Sequence, residues 1–301
     1  MTSPEPPIPR HFLEIGDLRR DSLLALLDLA ERMKARPHGF VEALRGDTVV
    51  CYFEKPSTRT RVSFAAAAER LGMLPLLVRP DELQLGRGET IEDTARTLAS
   101  YAAAIVVRTF AQETVRRLAS ASRVPVINAL TNEHHPCQAL ADLLTLREVF
   151  GRLAGLRVAY VGDGNNVATS LLEAAALVGI EAVAACPPGY EPPVPGAVVT
   201  RDPFEAVAGA HAVYTDVWVS MEDEADPARI ATLAPYQVNA RLFAAARPDA
   251  IFMHCLPAHR GEEVAAEVID GPRSVVWRQA ENRLPTEEAL LLALIGRRWE
   301  P

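Results

Sequence analysis

The stretch YFEKPSTRTRVSF, residues 52–64, gathers reactive groups in a chain that is acidic overall. Three cations (Lys55, Arg59, Arg61) and three hydroxyls (Ser57, Thr58, Thr60) crowd into nine of its residues, 53–61, against a net charge of -8. The preceding DTVVC (47–51) reads as a buried strand, and VSFAAAAERLG (62–72) as a helix stopped by glycine. Ser57, Thr58, Arg59 and Thr60 therefore fall where a strand turns into a helix N-terminus. Free backbone N–H groups and the positive end of the helix dipole favour an anion there. The hydroxyls and the guanidinium add donors in a forked geometry that suits phosphate. Each residue alone reads as polar loop or helix cap; the cluster reads as an anion site.

Further reactive residues need weighing. EHHPCQ and MHCLP place His134, His135, Cys137, His254 and Cys255 within reach of a zinc reading. Their spacing fits no zinc pattern, and adjacent residues on an extended chain point in different directions. The preferred reading has no metal, with His135 and Gln138 hydrogen-bonding a carbonyl and His134 a loop residue. Cys255 at a strand end reads either as a small buried apolar residue or, given His254 before it and Leu-Pro after it, as a working thiol. In DVWVSM (216–221), Asp216 reads equally as a helix cap or as the partner of an amine. GDGNN (162–166) opens like a dinucleotide fingerprint, but position 167 is Val and the next strand ends in Cys186 rather than an acid. The segment reads either as a Gly/Asn turn into a helix or as one whose Asn165 and Asn166 amides point into a cleft. No GxSxG elbow and no GxxxxGK[ST] loop is present.

These residues must be positioned by something, and the alternation of the sequence says what. Strands are expected at 47–53, 74–78, 103–107, 125–128, 156–161, 181–185, 212–215, 249–254 and 274–277. Helical patterns lie between most of them, among them 21–36 capped by Asp21, 90–101, 170–179 and 286–298. CPPGYEPPVPG (186–196) reads as a connector. Such alternation, with Val/Ile/Leu/Ala-rich strands, predicts an α/β fold of two doubly wound parallel-sheet domains with the active site in the cleft between them. The expected domains are 1–150 and 151–301, with the C-terminal helix 286–301 packing back on the first. In open α/β sheets ligands lie beyond the carboxyl ends of strands. Nearly every polar peculiarity follows a strand: EKPSTRTR, Arg108, ALTNEHHPCQ, GDGNN, DVWVSM, CLPAHRGEE and RQAENR.

The chain has 301 residues, 31 basic and 39 acidic, and four cysteines without a CxxC pair. This argues against nucleic acid as the main partner and against a disulfide framework. No apolar run approaches the roughly 18 residues of a membrane span, and MTSPEPPIPRHF is unlike a signal peptide. A cytoplasmic location is expected.

Taken together, FEKPSTRTRVSF (53–64), HPCQ (135–138), DVWVSM (216–221), HCLPAHRGEE (254–263) and QAENR (279–283) resemble the aspartate/ornithine carbamoyltransferase family over essentially the full length, and its ornithine branch in particular. The resemblance implies that Ser57, Thr58, Arg59 and Thr60 cradle the phosphate of carbamoyl phosphate. It implies that Arg108 and the HPCQ residues His135, Pro136, Cys137 and Gln138 take the carbamoyl end, completed by Arg283 and by the backbone of Cys255 and Leu256. Asn166, Asp216, Ser220 and Met221 would hold ornithine. Gln84, in DELQLGRGET (81–90), resembles a residue lent by a neighbouring subunit, since the family is built on trimers. The SM segment and the acidic 222–227 that follows have the character of a lid. Lys55 receives no role.

The implied reaction is attack of the δ-amine of ornithine on the carbamoyl carbon, giving citrulline and phosphate, with no metal or organic cofactor. Arg59, Arg108 and His135 would stabilise charge, and Cys255 would orient the amine. Alternatives are another amine acceptor (putrescine, aspartate or an acylated ornithine), a non-catalytic anion-binding protein, and, third, a nicotinamide dehydrogenase.

Overall fold

The computed structural model describes residues 8–85, 88–219 and 226–296. Ser220 and Met221, and most of the expected lid, lie outside the described residues. The chain forms two compact units, Met1–Leu140 with Asn282–Pro301, and Ala141–Glu281. The second division falls inside QAENR, so this short motif serves both units.

The first unit contains α1 (Arg20–Ala35), β1 (Thr48–Phe53), α2 (Arg59–Arg70), β2 (Leu74–Val78), α3 (Ile91–Tyr101), β3 (Ala104–Arg108), α4 (Gln112–Ala121) and β4 (Val126–Leu130). The helix α5 (Pro136–Phe150) begins in this unit and carries the chain onward. Its four strands are all parallel, in the order β2-β1-β3-β4. β1, β3 and β4 are buried nearly throughout, as expected of strands covered by helices on both faces. From β1 the chain goes first to β2 on one side and later to β3 on the other. The sheet order therefore reverses between β1 and β3, which is where an open α/β sheet leaves a crevice.

The second unit contains β5 (Arg157–Val161), α6 (Asn166–Val178), β6 (Glu181–Ala185), β7 (Val198–Thr200), α7 (Pro203–Val207), β8 (Ala212–Tyr214), α8 (Pro227–Leu233), α9 (Ala240–Ala244), β9 (Ile251–Met253), α10 (Ala266–Ile269) and α11 (Val276–Glu281). Its sheet runs β7-β6-β5-β8-β9, again all parallel. Here the reversal lies between β5 and β8. A core of Val161, Val213, Phe243, Phe252 and Val268 fills one face of the sheet.

The last helix, α12 (Arg283–Ile295), belongs to the first unit, where Lys34 of α1 donates to Asn282 Oδ1 at 2.6 Å and Arg70 of α2 pairs with Glu288 at 3.2 Å.

Several elements differ from their sequence expectation. The segment 274–277 is not a strand: Ser274 makes one isolated bridge to Phe252, and Val276 already opens α11. The short edge strand β7 was not anticipated, because three residues carry too little pattern. Asp21 lies in the first turn of α1 rather than capping it, since Arg19 holds the cap position. Thr90 does cap α3, accepting from the Asp93 N–H at 3.1 Å. Both α2 and α12 start earlier than their apolar periodicity, at Arg59 and Arg283, because their first turns carry polar residues facing the site.

Candidate active site

In the first unit, register brings the two flanks of the crevice together. Phe53, the last residue of β1, pairs with Arg108, the last residue of β3, and the Glu54 N–H donates to the Arg108 carbonyl at 2.8 Å. The residues after β1 therefore begin beside a buried arginine. The chain then turns: the Thr60 N–H donates to Ser57 Oγ at 3.2 Å, so Ser57 holds the first turn of α2, while Thr58 makes no side-chain cap. Thr58 stays exposed and Arg59 half-buried. Lys55 is buried against this turn by a 2.5 Å bond to Asn132 Oδ1 and lies 4.7 Å from the centre of the Phe110 ring, which gives it a structural task.

His135 immediately precedes α5 and is buried. Burial, and then the nearby charges of Arg283, Arg108 and Arg59, hold its imidazole well below the usual range, so it is neutral at physiological pH. Three arginines thus act on one neutral ring. Arg283 is held by Gln138, whose Oε1 accepts from Nη1 at 2.9 Å, and by Thr60, whose Oγ1 accepts from Nη2 at 3.3 Å. Three separate sequence motifs, STRT, HPCQ and QAENR, meet in this one network. Pro136 opens α5, where a missing N–H costs nothing. The Cys137 thiol is buried, donates to the Asn128 carbonyl at 3.4 Å and is pushed up by burial, so it is a packing group rather than a ligand-facing one. Gln84 is exposed; its carbonyl accepts from the Glu89 N–H, and it takes no part in these side-chain bonds.

The second unit builds a site of different character. Tyr214 of β8 pairs with Met253 of β9, so Asp216 and Cys255 stand two residues beyond the same pair. The Cys255 Sγ donates to Asp216 Oδ1 at 2.9 Å, and Asn165 Nδ2 donates to Asp216 Oδ2 at 2.8 Å. Asp216 is therefore not a helix cap. It is a buried carboxylate with a donor on each oxygen. Asn165 does the capping: its Oδ1 accepts from the Val167 and Ala168 N–H groups at 2.9 and 3.2 Å and from the Tyr160 hydroxyl at 3.2 Å. Asn166 follows as the first, half-buried residue of α6.

The glycines of GDGNN answer to backbone geometry, not to a nucleotide. Gly162 takes φ 125°, open to glycine. A Cβ on Gly164 would lie 2.3 Å from Pro192 N and 2.5 Å from the Tyr190 carbonyl oxygen. Between them, Asp163 pairs with Arg229, yet burial, with Asp216 adding to it, raises its carboxyl to about 6.

HCLP is braced from behind. His254 Nδ1 accepts from the Leu256 N–H at 2.9 Å, while Nε2 lies 3.2 Å from Glu263 Oε1, which also accepts from the His259 N–H at 2.6 Å. Both ring nitrogens are engaged, so His254 is a strut. The grouping of Asp216, His254 and Cys255 within 4.8 Å does not offer its imidazole to a metal. This brace holds Leu256 at φ 59°, a left-handed conformation that costs a branched side chain about 1–2 kcal/mol. Gln279 adds a second brace: its Oε1 accepts from the His254 N–H, and its Nε2 donates to Asp142 at 2.7 Å and to Tyr214 Oη at 2.9 Å.

Sequence reasoning did not single out Glu263, Gln279, Glu287 or the link from Asn165 to Asp216. All act through other side chains, and only the fold brings them to their partners.

Residues 10–148 match the family described as "Aspartate/ornithine carbamoyltransferase, carbamoyl-P binding domain", and residues 154–294 match its "Asp/Orn binding domain". Among curated relatives, the ornithine carbamoyltransferase of Parafrankia sp. is 53% identical over 304 residues, covering 95% of this chain and 96% of that one. That of Bacillus subtilis is 48% identical, covering 95% and 94%. Among solved structures, the ornithine carbamoyltransferase of Thermus thermophilus superposes with a TM-score of 0.90 at 46% identity, covering 96% of this chain and 100% of that one. The enzyme from Pyrococcus furiosus gives 0.91 at 45% identity, covering 95% and 97%. With both domain matches in order, the chain belongs to the aspartate/ornithine carbamoyltransferase family.

Proposed function

We propose that this chain is an ornithine carbamoyltransferase, moving the carbamoyl group of carbamoyl phosphate to the δ-amine of L-ornithine and releasing L-citrulline and phosphate. The observation that carries the reading is the convergence of Arg59, Arg108 and Arg283 on a neutral, buried His135. Such a cluster suits a small dianion attached to a polar carbonyl. Ser57, Thr58, Arg59 and Thr60 take the phosphate; Arg108, His135, Gln138 and Arg283 take the carbamoyl end. Asp216, with Asn165 and Cys255 on its oxygens, receives the amino acid together with Asn166. Ser220 and Met221 complete that role as expected from the sequence.

An alkylamine has a pKa near 10.4, so presenting it neutral at pH 7 costs about 4–5 kcal/mol. Asp216 and Cys255 orient the amine once its first proton has passed to solvent. The nitrogen lone pair then forms the C–N bond, and negative charge moves to the carbamoyl oxygen. Two fixed guanidiniums and a neutral imidazole N–H stabilise that oxygen in a water-poor setting. Collapse breaks the C–O bond to phosphate, and the departing oxygen accepts the proton that nitrogen sheds, so that phosphate leaves as the hydrogen phosphate dianion.

The family's trimeric architecture extends to this chain as a homotrimer. Support comes from edge strand β2, where Leu74 and Leu76 are 58% and 43% exposed, and from Val62 at 62%. Gln84, exposed on its loop, is the residue offered to a neighbouring copy. No helix among the described residues is long and apolar enough to cross a membrane; a cytoplasmic role in arginine biosynthesis fits the product.

The test is an assay with carbamoyl phosphate and, side by side, ornithine, putrescine, aspartate and N-acetylornithine. Citrulline from ornithine alone is expected. Turnover with another amine would keep the anion cradle and overturn the acceptor; no amine-dependent phosphate release would overturn both.

A further inference from the structure

The buried carboxyl of Glu287 takes no part in the chemistry above, yet it grips one of the arginines that does. It is 1% exposed. Its Oε1 accepts from Arg283 Nε at 3.1 Å and from Arg283 Nη2 at 2.7 Å. The same guanidinium donates to Gln138 and Thr60, the groups assigned to carbamoyl phosphate. We propose that Glu287 is a protonation-linked positioning residue: it holds Arg283 while the site is empty, and takes up a proton when a dianion binds and draws on that guanidinium. The inference rests on the reading of the Arg283 network as the anion site.

The physical reason is competition for one cation. Burial raises the Glu287 carboxyl to about 7; the Arg283 charge and the Ser63 hydroxyl pull it down, and Glu288 pushes it up. A dianion in the adjoining phosphate cradle, whose Thr60 hydroxyl already accepts from Arg283, takes up part of the charge that stabilises the carboxylate and adds a repulsive charge of its own. Both effects favour the protonated acid. The sign follows from linkage. A ligand that raises a carboxyl's pKa binds more tightly to the protonated form, so affinity is high and flat below about pH 7. It falls as pH rises above that, by up to about tenfold per pH unit, until the bound-state pKa is passed.

The other groups around Glu287 limit the ambiguity. Cys51 of β1 and Cys137 of α5 are pushed up by burial and by Glu287 itself, and remain thiols. His135 is held neutral, and its neighbours Arg59 and Arg108 are permanent cations. From α1, Lys34 donates to Asn282. Glu288 is also raised to about 7, by burial, and pairs with Arg70 at 3.2 Å. It titrates in the same window and is the necessary control.

The experiment uses sulfate, whose charge is constant across the range, as a competitor of carbamoyl phosphate in the full-length protein. Its affinity is measured from pH 6 to 9 for the natural chain, Glu287→Gln and Glu288→Gln. The natural chain should lose affinity above pH 7. Glu287→Gln keeps an amide oxygen for Arg283 but cannot ionise, so its profile should be flat at the tight limit. Glu288→Gln should retain the slope. Calorimetry of the natural chain in two buffers of different ionisation enthalpy should show proton uptake on binding near pH 7.5, a readout that stands even if Glu287→Gln fails to fold. A flat profile in the natural chain, a slope that survives in Glu287→Gln, absence of proton uptake, or sulfate that fails to compete would each overturn the inference. None of these touches the amine assay, whose failure would overturn the proposed function instead.

Discussion

Arg59 sits at the first position of α2 with its charge acting on His135, the placement on which its proposed role in the anion site rests. Arg59→Ala should weaken carbamoyl phosphate binding and lower turnover by about 10²–10³-fold; normal affinity for carbamoyl phosphate in that variant would remove the residue from the cradle. Cys255 makes a different prediction. Its thiol donates to Asp216, which we propose receives the amino acid. Cys255→Ala should reduce kcat/KM for ornithine by about tenfold or more, as loss of a hydrogen bond to a charged group would, while carbamoyl phosphate affinity stays near that of the natural chain. Unchanged kinetics would make Cys255 a packing residue.

At the scale of elements, the turn between β5 and α6 does the most positioning for its length. Asn165 caps α6 and holds Asp216, and the backbone before it must pass under the 190–192 segment. Gly164→Ala would put a Cβ against two backbone atoms, neither of which can rotate away. The expected result is a loss of about 1–3 kcal/mol in stability by chemical denaturation, with a raised KM for ornithine and little change in KM for carbamoyl phosphate. If stability and KM are both unchanged, the loop at Tyr190 has room to move and the tight approach has no consequence. Residues 47–53 and 103–108 needed no such device: two buried parallel strands in register suffice to bring Glu54 beside Arg108.

For the whole molecule, the expectation is a homotrimer, sedimenting at three times the 32.7 kDa of one chain. Leu76→Glu places a charge on the exposed apolar edge of β2. Burying that charge in a contact between copies would cost several kcal/mol. The variant should sediment as a single chain and lose carbamoyl phosphate turnover along with Gln84. A trimer that survives the substitution, with full activity, would place the contact elsewhere.

By itself the sequence determined the class of fold and the addresses of its reactive residues. Strands such as DTVVC and AIVVR are apolar throughout and sit between amphipathic helices, a pattern that only a doubly covered parallel sheet satisfies. Once the strands are known, STRT, HPCQ, GDGNN and Asp216 must lie beyond their carboxyl ends, and Arg108 at the end of one. What the sequence could not decide was which role each of several residues takes. Asp216 as cap or partner of an amine turns on neighbours 39 and 51 residues away, and His254 is made a strut by Glu263, 9 residues on. The early start of α12 was hidden because its first turn opens on Arg283, which is buried although arginine reads as a surface residue. Burying charge is tolerable only where a partner waits, and Thr60 and Gln138 reach Arg283 from 223 and 145 residues away. Those distances along the chain are closed by tertiary structure alone, because no local periodicity reports on a partner so remote.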